Sequence, residues 1–206
     1  MAKAKEQQLA KKKFLNVGGG SKKTFIPNQY DNWEHVLLDI DASVNPDVVC
    51  DARKLINLDA KEYDAVYCSH NLEHYLRHDG LKVLQGFVHV LKDDGFAHIR
   101  VPDIQAVMRH VIANNLDISD VLYQSGMGPI TVRDVMYGYE KQIESSGHDY
   151  YAHKTGFSPK SLQAFLFQGG FSHVAIGEDN PNFEIVAIGF KAPPSKEAKL
   201  LFNMPD

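Results

Sequence analysis

From residue 13 to about 101 the chain sets short, continuously apolar runs between turn-forming or helical segments. Runs of this length, apolar throughout rather than alternating, are how strands buried on both faces of a parallel sheet read. They predict strands at about 13–17, 35–40, 47–50, 63–68 and 95–101. Between the last two, Leu81, Leu84, Val88 and Leu91 recur at intervals of three and four, the stripe of an amphipathic helix. Asp79 is its candidate cap and Asp93-Asp94-Gly95 its candidate stop. A second helix is expected after Pro102-Asp103, through Ile104, Val107, Met108 and Val111.

The C-terminal third is equally patterned. Ser158-Pro159 places a capping side chain before a proline at the first helical position, Leu162, Phe165 and Leu166 follow, and Gly169-Gly170 closes the helix. Two strands at about 171–177 and 183–191, separated by Glu178-Asp179-Asn180-Pro181-Asn182, are expected to pair as an antiparallel hairpin. Residues 115–156 interrupt this order, with a clear helical pattern only at about 131–145, and read as an insertion. The expected fold is therefore an α/β, Rossmann-like, mostly parallel sheet with helices on both faces and a C-terminal antiparallel hairpin. One domain spans 13–192, between a flexible basic tail at 1–12 and a loosely held tail at 193–206.

Composition narrows the function. At 206 residues, 44% hydrophobic, the chain can bury one substantial core. No stretch approaches the roughly 20 apolar residues of a membrane span, and no apolar segment follows the N-terminal lysines, so neither membrane insertion nor secretion is expected. Five lysines against Glu6 in the first 13 residues leave 17 basic and 25 acidic residues in the remainder. An acidic body argues against a nucleic-acid partner. Cys50 and Cys68 are too far apart for a CxxC pair and lie in apolar runs, as buried thiols of a cytoplasmic protein do.

The candidate chemistry begins at Val17-Gly18-Gly19-Gly20-Ser21, directly after the first strand. There the chain must turn sharply and let a ligand approach bare backbone. Against the dinucleotide pattern G-x-G-x-x-G the third glycine is missing, since Lys23 stands in its place. Asp39 follows Gly18 by 21 residues at the end of the second strand, where a carboxylate can accept from both hydroxyls of a ribose, and Asp41 competes for that role. Asp51-Ala52, after the third strand, is placed to meet an adenine amino group. Three carboxyl ends of strands thus converge on one crevice.

The order Leu15-Asn16-Val17-Gly18-Gly19-Gly20, Leu38-Asp39-Ile40, Cys50-Asp51-Ala52, Tyr63-Asp64, Ser69-His70-Asn71-Leu72-Glu73-His74 and Val90-Leu91-Lys92-Asp93-Asp94-Gly95 resembles the class I methyltransferases of the type 11 group. The resemblance covers residues 13–103 and extends to the closing helix and hairpin at 158–191. It implies S-adenosyl-L-methionine as cofactor. Val17, Gly18, Gly19 and Gly20 would face its amino-acid part, Asp39 its ribose, Asp51 and Ala52 its adenine, and Ser69 and His70 the edge near the sulfonium. Two positions depart from the family: Gly19 replaces the usual cysteine, and Lys92-Asp93-Asp94-Gly95 replaces Lys-Pro-Gly-Gly.

His70-Asn71-Leu72-Glu73-His74 also fits H-x-x-E-H, a spacing at which two histidines on one helical face bind zinc. The segment follows a buried strand and should begin as a loop, so a zinc hydrolase ranks below a methyltransferase and no metal is expected. His70 is the candidate base for an acceptor proton, with His74 beside it; Glu73 and His74 alternatively brace the loop. The insertion supplies the natural lid, with Tyr150 and His153 the expected contacts to a small-molecule or sugar-containing acceptor. Its tyrosines alternatively pack the lid or form a homodimer contact, and a non-catalytic nucleotide-binding protein of the same fold is the alternative function.

Overall fold

In the computed structural model, the structure describes residues 11–177 and 182–205. Most of the expected basic tail at 1–12 and of the turn at 178–182 lies outside the described residues. Strands β1 (Lys13–Val17), β2 (Glu34–Asp39), β3 (Val48–Val49), β4 (Tyr63–Ser69) and β5 (Leu91–Pro102) pair in parallel. Leu15 of β1 is flanked by Val36 of β2 and Val66 of β4, so β1 is central and its apolar side chains are buried on both faces. Helices α1 (Arg77–Val90) and α2 (Ile104–Asn114) flank β5 in sequence.

β6 (Val121–Ser125) and β7 (Gly128–Thr131) form a separate antiparallel pair. After them come α3 (Val132–Tyr137), α4 (Glu140–Ser146) and α5 (Pro159–Gln168). β8 (His173–Gly177) and β9 (Glu184–Phe190) complete the main sheet, in the order β3-β2-β1-β4-β5-β9-β8. β9 lies antiparallel between β5 and β8, with Phe190 opposite both Phe96 and His173. The sheet therefore has the expected parallel body closed by an antiparallel hairpin. Strand order reverses between β1 and β4, and a doubly wound sheet opens a ligand crevice at that point, outside the carboxyl ends of the strands.

One face of the sheet is covered by α1 and α5, where Leu84, Phe87, Leu162 and Leu166 are fully buried. Truncating such a leucine to alanine costs about 2–5 kcal/mol. The other face carries Phe14, Tyr30, Tyr67, Phe96 and Phe190. It is closed by α6 (Lys196–Leu201), which buries Ala198, and by Phe202, whose ring meets Phe96 edge-on at 5.0 Å. The segment from 193, read as a loose tail, is thus a packed element: five aromatic side chains on that face need a cover.

Local chemistry explains the other differences. Ser158 and Ser161 cap α5 reciprocally with Pro159 at the first turn, as the pattern implied. Asp79 does not cap α1, which begins two residues earlier without a side-chain cap; it sits in the first turn, bonded to Lys82 and Arg53. Asp93-Asp94-Gly95 is no helix stop either, because β5 starts at Leu91 directly after α1, with a register shift between Tyr63 and Ala65 opposite. The helix expected at 131–145 is broken into α3 and α4 at Gly138. This glycine has φ +101°, and a Cβ on it would stand 2.5 Å from the Tyr151 carbonyl.

Candidate active site

The glycine loop is built against two neighbouring strands. The Gly18 amide donates to the Leu38 carbonyl (2.8 Å) and the Gly20 amide to Oδ2 of Asp39 (3.0 Å). Gly18 has φ +69°, and a Cβ there would fall 2.1 Å from Nδ2 of Asn71, so the loop after β1 is pressed onto the loop after β4. Gly20 has φ +64° with open space where its Cβ would be, leaving bare backbone towards the crevice.

Asp39 and Asp41 differ in what holds them. Asp39 accepts from the amides of Gly20 and Asp41, fixing its carboxylate at the loop, whereas Asp41 caps a short turn through the Ser43 amide (2.8 Å). Asp51 accepts from Nη2 of Arg53 at 2.6 Å and from its Nε at 2.9 Å, and this guanidinium holds the carboxyl below its ordinary pKa. The adenine contact expected of Asp51 would therefore be made by a carboxylate already engaged by Arg53.

After β4 the chain bends through His70, a non-glycine residue at φ +49°. Its Nε2 donates to Oε1 of Glu184 on β9 (2.8 Å), and its Nδ1 lies 3.5 Å from Oε1 of buried Glu73. Burial works to lower the imidazole pKa, but the bond to Glu184 and the nearby charge of Glu73 outweigh it and hold the value at about 10. A histidine clamped this way carries its proton at neutral pH, so the role of free base expected for His70 does not fit its environment. Glu184, in turn, is held down to about 2 by His70 and by Arg100, against the cost of its burial.

Residues 72–74 form a single 3₁₀ turn rather than an α-helix, so His70 and His74 do not share a helical face. His74 faces the Ala152 carbonyl with Nδ1 and the His70 carbonyl with Nε2, both at 3.1 Å, and Lys154 and Thr155 donate to the Glu73 carbonyl. The bracing role thus falls to this turn, which ties the loop after β4 to the segment at 152–155.

Two cavities meet over these loops. The first, about 470 Å³, is lined by Gly18, Gly20, Asp39, Asp41, Asp51 and Tyr150 among others. Among the described residues its lining holds five aspartates, with Asp79 and Asp149 included, against Arg53 and Lys154 as permanent cations. The second, about 430 Å³, lies between Tyr123, Met127, Ile130, Val135, Tyr139 and Phe183, with His153 and Glu184 among its polar groups. Gly18, Gly20, His70, His74 and Tyr151 line both.

Sequence-derived candidates distribute unevenly over this geometry. Gly18, Gly20, Asp39, Asp51, His70 and His74 come together in the first cavity, while Gly19 lines only the second. Val17 and Ala52 are buried core residues, and neither they nor Ser69 line either cavity. His153 lies in the second cavity with Nδ1 on the Val135 carbonyl (2.9 Å). Tyr150, expected to share the acceptor contacts with His153, lines the first cavity beside Asp41 and not the second. Glu184, Arg100, Asn71 and the β6–β7 hairpin were not singled out from sequence.

The first cavity suits S-adenosylmethionine. Aspartates at the ends of β2 and β3 can accept from ribose hydroxyls, the open backbone at Gly20 admits a ligand closely, and the acidic lining favours a cationic ligand while opposing the pyrophosphate of a dinucleotide. Residues 15–99 match the family model of a methyltransferase domain. No curated protein sequence matches the chain significantly. Among solved structures, a SAM-dependent methyltransferase from Archaeoglobus fulgidus superposes with a TM-score of 0.53 at 16% identity, over 87% of this chain and 86% of that one. A SAM-dependent methyltransferase of Thermotoga maritima, described as a possible histamine N-methyltransferase, gives 0.52 at 16% identity over 90% and 84%. The 1,6-didemethyltoxoflavin-N1-methyltransferase of Burkholderia thailandensis, solved with that substrate and S-adenosylhomocysteine, gives 0.52 at 15% identity over 87% and 70%. Over residues 15–99 the chain thus carries a match to a methyltransferase domain, on a sheet whose fold is that of S-adenosylmethionine-dependent methyltransferases.

Proposed function

We propose that the chain methylates a small-molecule acceptor held in the second cavity. The observation that carries this reading is the junction of the two cavities at Gly18, Gly20, His70, His74 and Tyr151. A donor in one cavity and an acceptor in the other would meet there. A volume of about 430 Å³ with aromatic and aliphatic walls matches a small ligand with a few polar groups, and its lining offers no cationic track for a nucleic-acid backbone.

S-adenosylmethionine supplies a methyl group already activated by its sulfonium charge. The protein's contribution is alignment of the acceptor atom, worth up to roughly 7–11 kcal/mol in well-oriented systems. Glycine-loop amides and Asp39 hold the donor side. Tyr123, Tyr139 and Phe183 present ring surface to the acceptor, and His153 offers it a polar edge. The paired charges of His70, Glu184 and Arg100 fix the loop between the cavities. Two free cysteines, with Cys68 fully buried, favour the reducing cytoplasm as its location.

The test is calorimetric binding of S-adenosylhomocysteine followed by methylation of a panel of phenols, amines and sugars, read as S-adenosylhomocysteine formed. Turnover of a small acceptor supports the reading. Turnover of RNA, DNA or protein with no small acceptor overturns it.

A further inference from the structure

We propose that Glu73, His74 and His153 form a binding site for a divalent transition-metal ion, which receives a hydroxyl group of the acceptor. This inference rests on the methyltransferase reading above and specifies its acceptor chemistry. One potential ligand atom from each of the three residues lies within 4.8 Å of the others.

The second, independent observation is the state of Glu73. Its side chain is 1% exposed, and neither carboxylate oxygen has a hydrogen-bond partner among the described residues. A buried carboxylate left without hydrogen bonds is costly, and such groups are paired or bind metals. Its nearest nitrogens are Nδ1 of His70 at 3.5 Å and Nε2 of His153 at 3.9 Å from the same oxygen. Ligands of an octahedral ion with bonds of about 2.1 Å stand roughly 3 Å apart, so side-chain shifts of about 1 Å would close the set.

The surrounding bonds already orient these rings. Metal-bound histidines ordinarily donate their other ring N–H to a carbonyl or carboxylate. His153 directs Nδ1 to the Val135 carbonyl, leaving Nε2 towards Glu73. His74 directs Nδ1 to the Ala152 carbonyl, and its Nε2 faces the His70 carbonyl. A neutral imidazole can donate to only one of these carbonyls, so its other nitrogen meets an oxygen with a lone pair, an arrangement that a cation relieves. This set is distinct from the pairing of His70 with His74 that the H-x-x-E-H spacing suggests.

Two histidines and one carboxylate leave coordination positions open, the pattern of a catalytic rather than a structural metal. His74 and His153 line the acceptor cavity, and His74 lines the donor cavity as well. An acceptor hydroxyl bound there would lose its proton to solvent. The resulting oxygen would form a bond to the methyl carbon while the carbon–sulfur bond breaks, its electron pair returning to sulfur. The products are a methyl ether, S-adenosylhomocysteine and one released proton.

The experiment is titration of tag-free, chelator-treated protein with Co²⁺, followed by visible absorption and pulsed electron paramagnetic resonance. One equivalent is expected to bind with imidazole nitrogen coupling. Glu73→Gln and His153→Ala should each weaken binding by more than the roughly 10–100-fold cost of losing an outer partner, while surface His173→Ala leaves it unchanged. S-adenosylhomocysteine binding, measured separately, reports on the methyltransferase reading alone. Absence of a stoichiometric Co²⁺, Mn²⁺ or Zn²⁺ site, bound Co²⁺ without imidazole coupling, or a folded variant that binds as tightly as the wild type overturns the proposal. Should a variant fail to fold, the wild-type coupling decides.

Discussion

Nε2 of His70 donates to Oε1 of Glu184 over 2.8 Å, joining the loop after β4 to the start of β9 across 114 residues. This bond converts the histidine from a candidate base into half of an ion pair. His70 has its pKa raised from 6.5 to about 10, so its contribution is complete below about pH 6.5 and is lost as pH rises through about 10. Glu184 is lowered from 4.5 to about 2, so its contribution is complete above about pH 4.5 and is lost as pH falls through about 2. The melting-temperature difference between wild type and Glu184→Gln should be greatest between about pH 4.5 and 6.5 and shrink towards pH 10. Imidazole ¹⁵N shifts should show His70 protonated at pH 8 in the wild type; a neutral ring there would refute the pairing.

The two positive-φ glycines of the donor loop should respond unequally to alanine. Left-handed backbone costs an L-residue roughly 1–2 kcal/mol at either site. Gly18→Ala adds a methyl 2.1 Å from Asn71, whereas Gly20→Ala meets open space. S-adenosylhomocysteine affinity should fall further for Gly18→Ala, and equal dissociation constants would show that the contact with Asn71 yields freely.

Asp39 and Asp41 compete for the ribose, and Asp39 is the one fixed by the Gly20 amide. Asp39→Asn removes a charged acceptor, a loss of about 1.5–3 kcal/mol, or roughly 10- to 150-fold in S-adenosylhomocysteine affinity. Asp41→Asn should cost less. The reverse ranking by calorimetry would assign the ribose to Asp41.

Tyr150 and Tyr139 separate the two cavities experimentally. Tyr150→Ala should weaken S-adenosylhomocysteine binding roughly 2- to 13-fold if its ring stacks on the ligand, from an aromatic contribution of about 0.5–1.5 kcal/mol. Tyr139→Ala, on the other cavity, should leave that affinity unchanged and alter only acceptor KM. Equal effects on donor binding would merge the two sites.

Stability has its own test at the start of α5. Ser158 and Ser161 satisfy each other's backbone amides there. Ser158→Ala should cost about 1 kcal/mol, a fall of about 2–4 °C in melting temperature for a domain of this size. An unchanged melting temperature would mean that Pro159 and packing alone hold the helix start.

Local patterns determined most of the sheet and the start of α5. Apolar runs identified the parallel strands because strands buried on both faces leave an uninterrupted signal, and Gly18-Gly20 with Asp39 located the donor crevice because loop and strand end are close in sequence. Ser158-Pro159 marked a helix start by chemistry confined to four residues. Tertiary structure decided what depends on distant partners. Phe202 covers Phe96, so residues 196–201 pack instead of trailing away. Gly138 interrupts the helix expected at 131–145 through its φ of +101°, and the close approach of the Tyr151 carbonyl leaves no room for a side chain there. The charge of His70 is set by Glu184, and the company of Glu73 by His153, residues 114 and 80 positions away that no local spacing could bring together. Proximity in the sequence wrote the glycine-loop side of the first cavity; only long-range folding assembled the charges and rings that line the second.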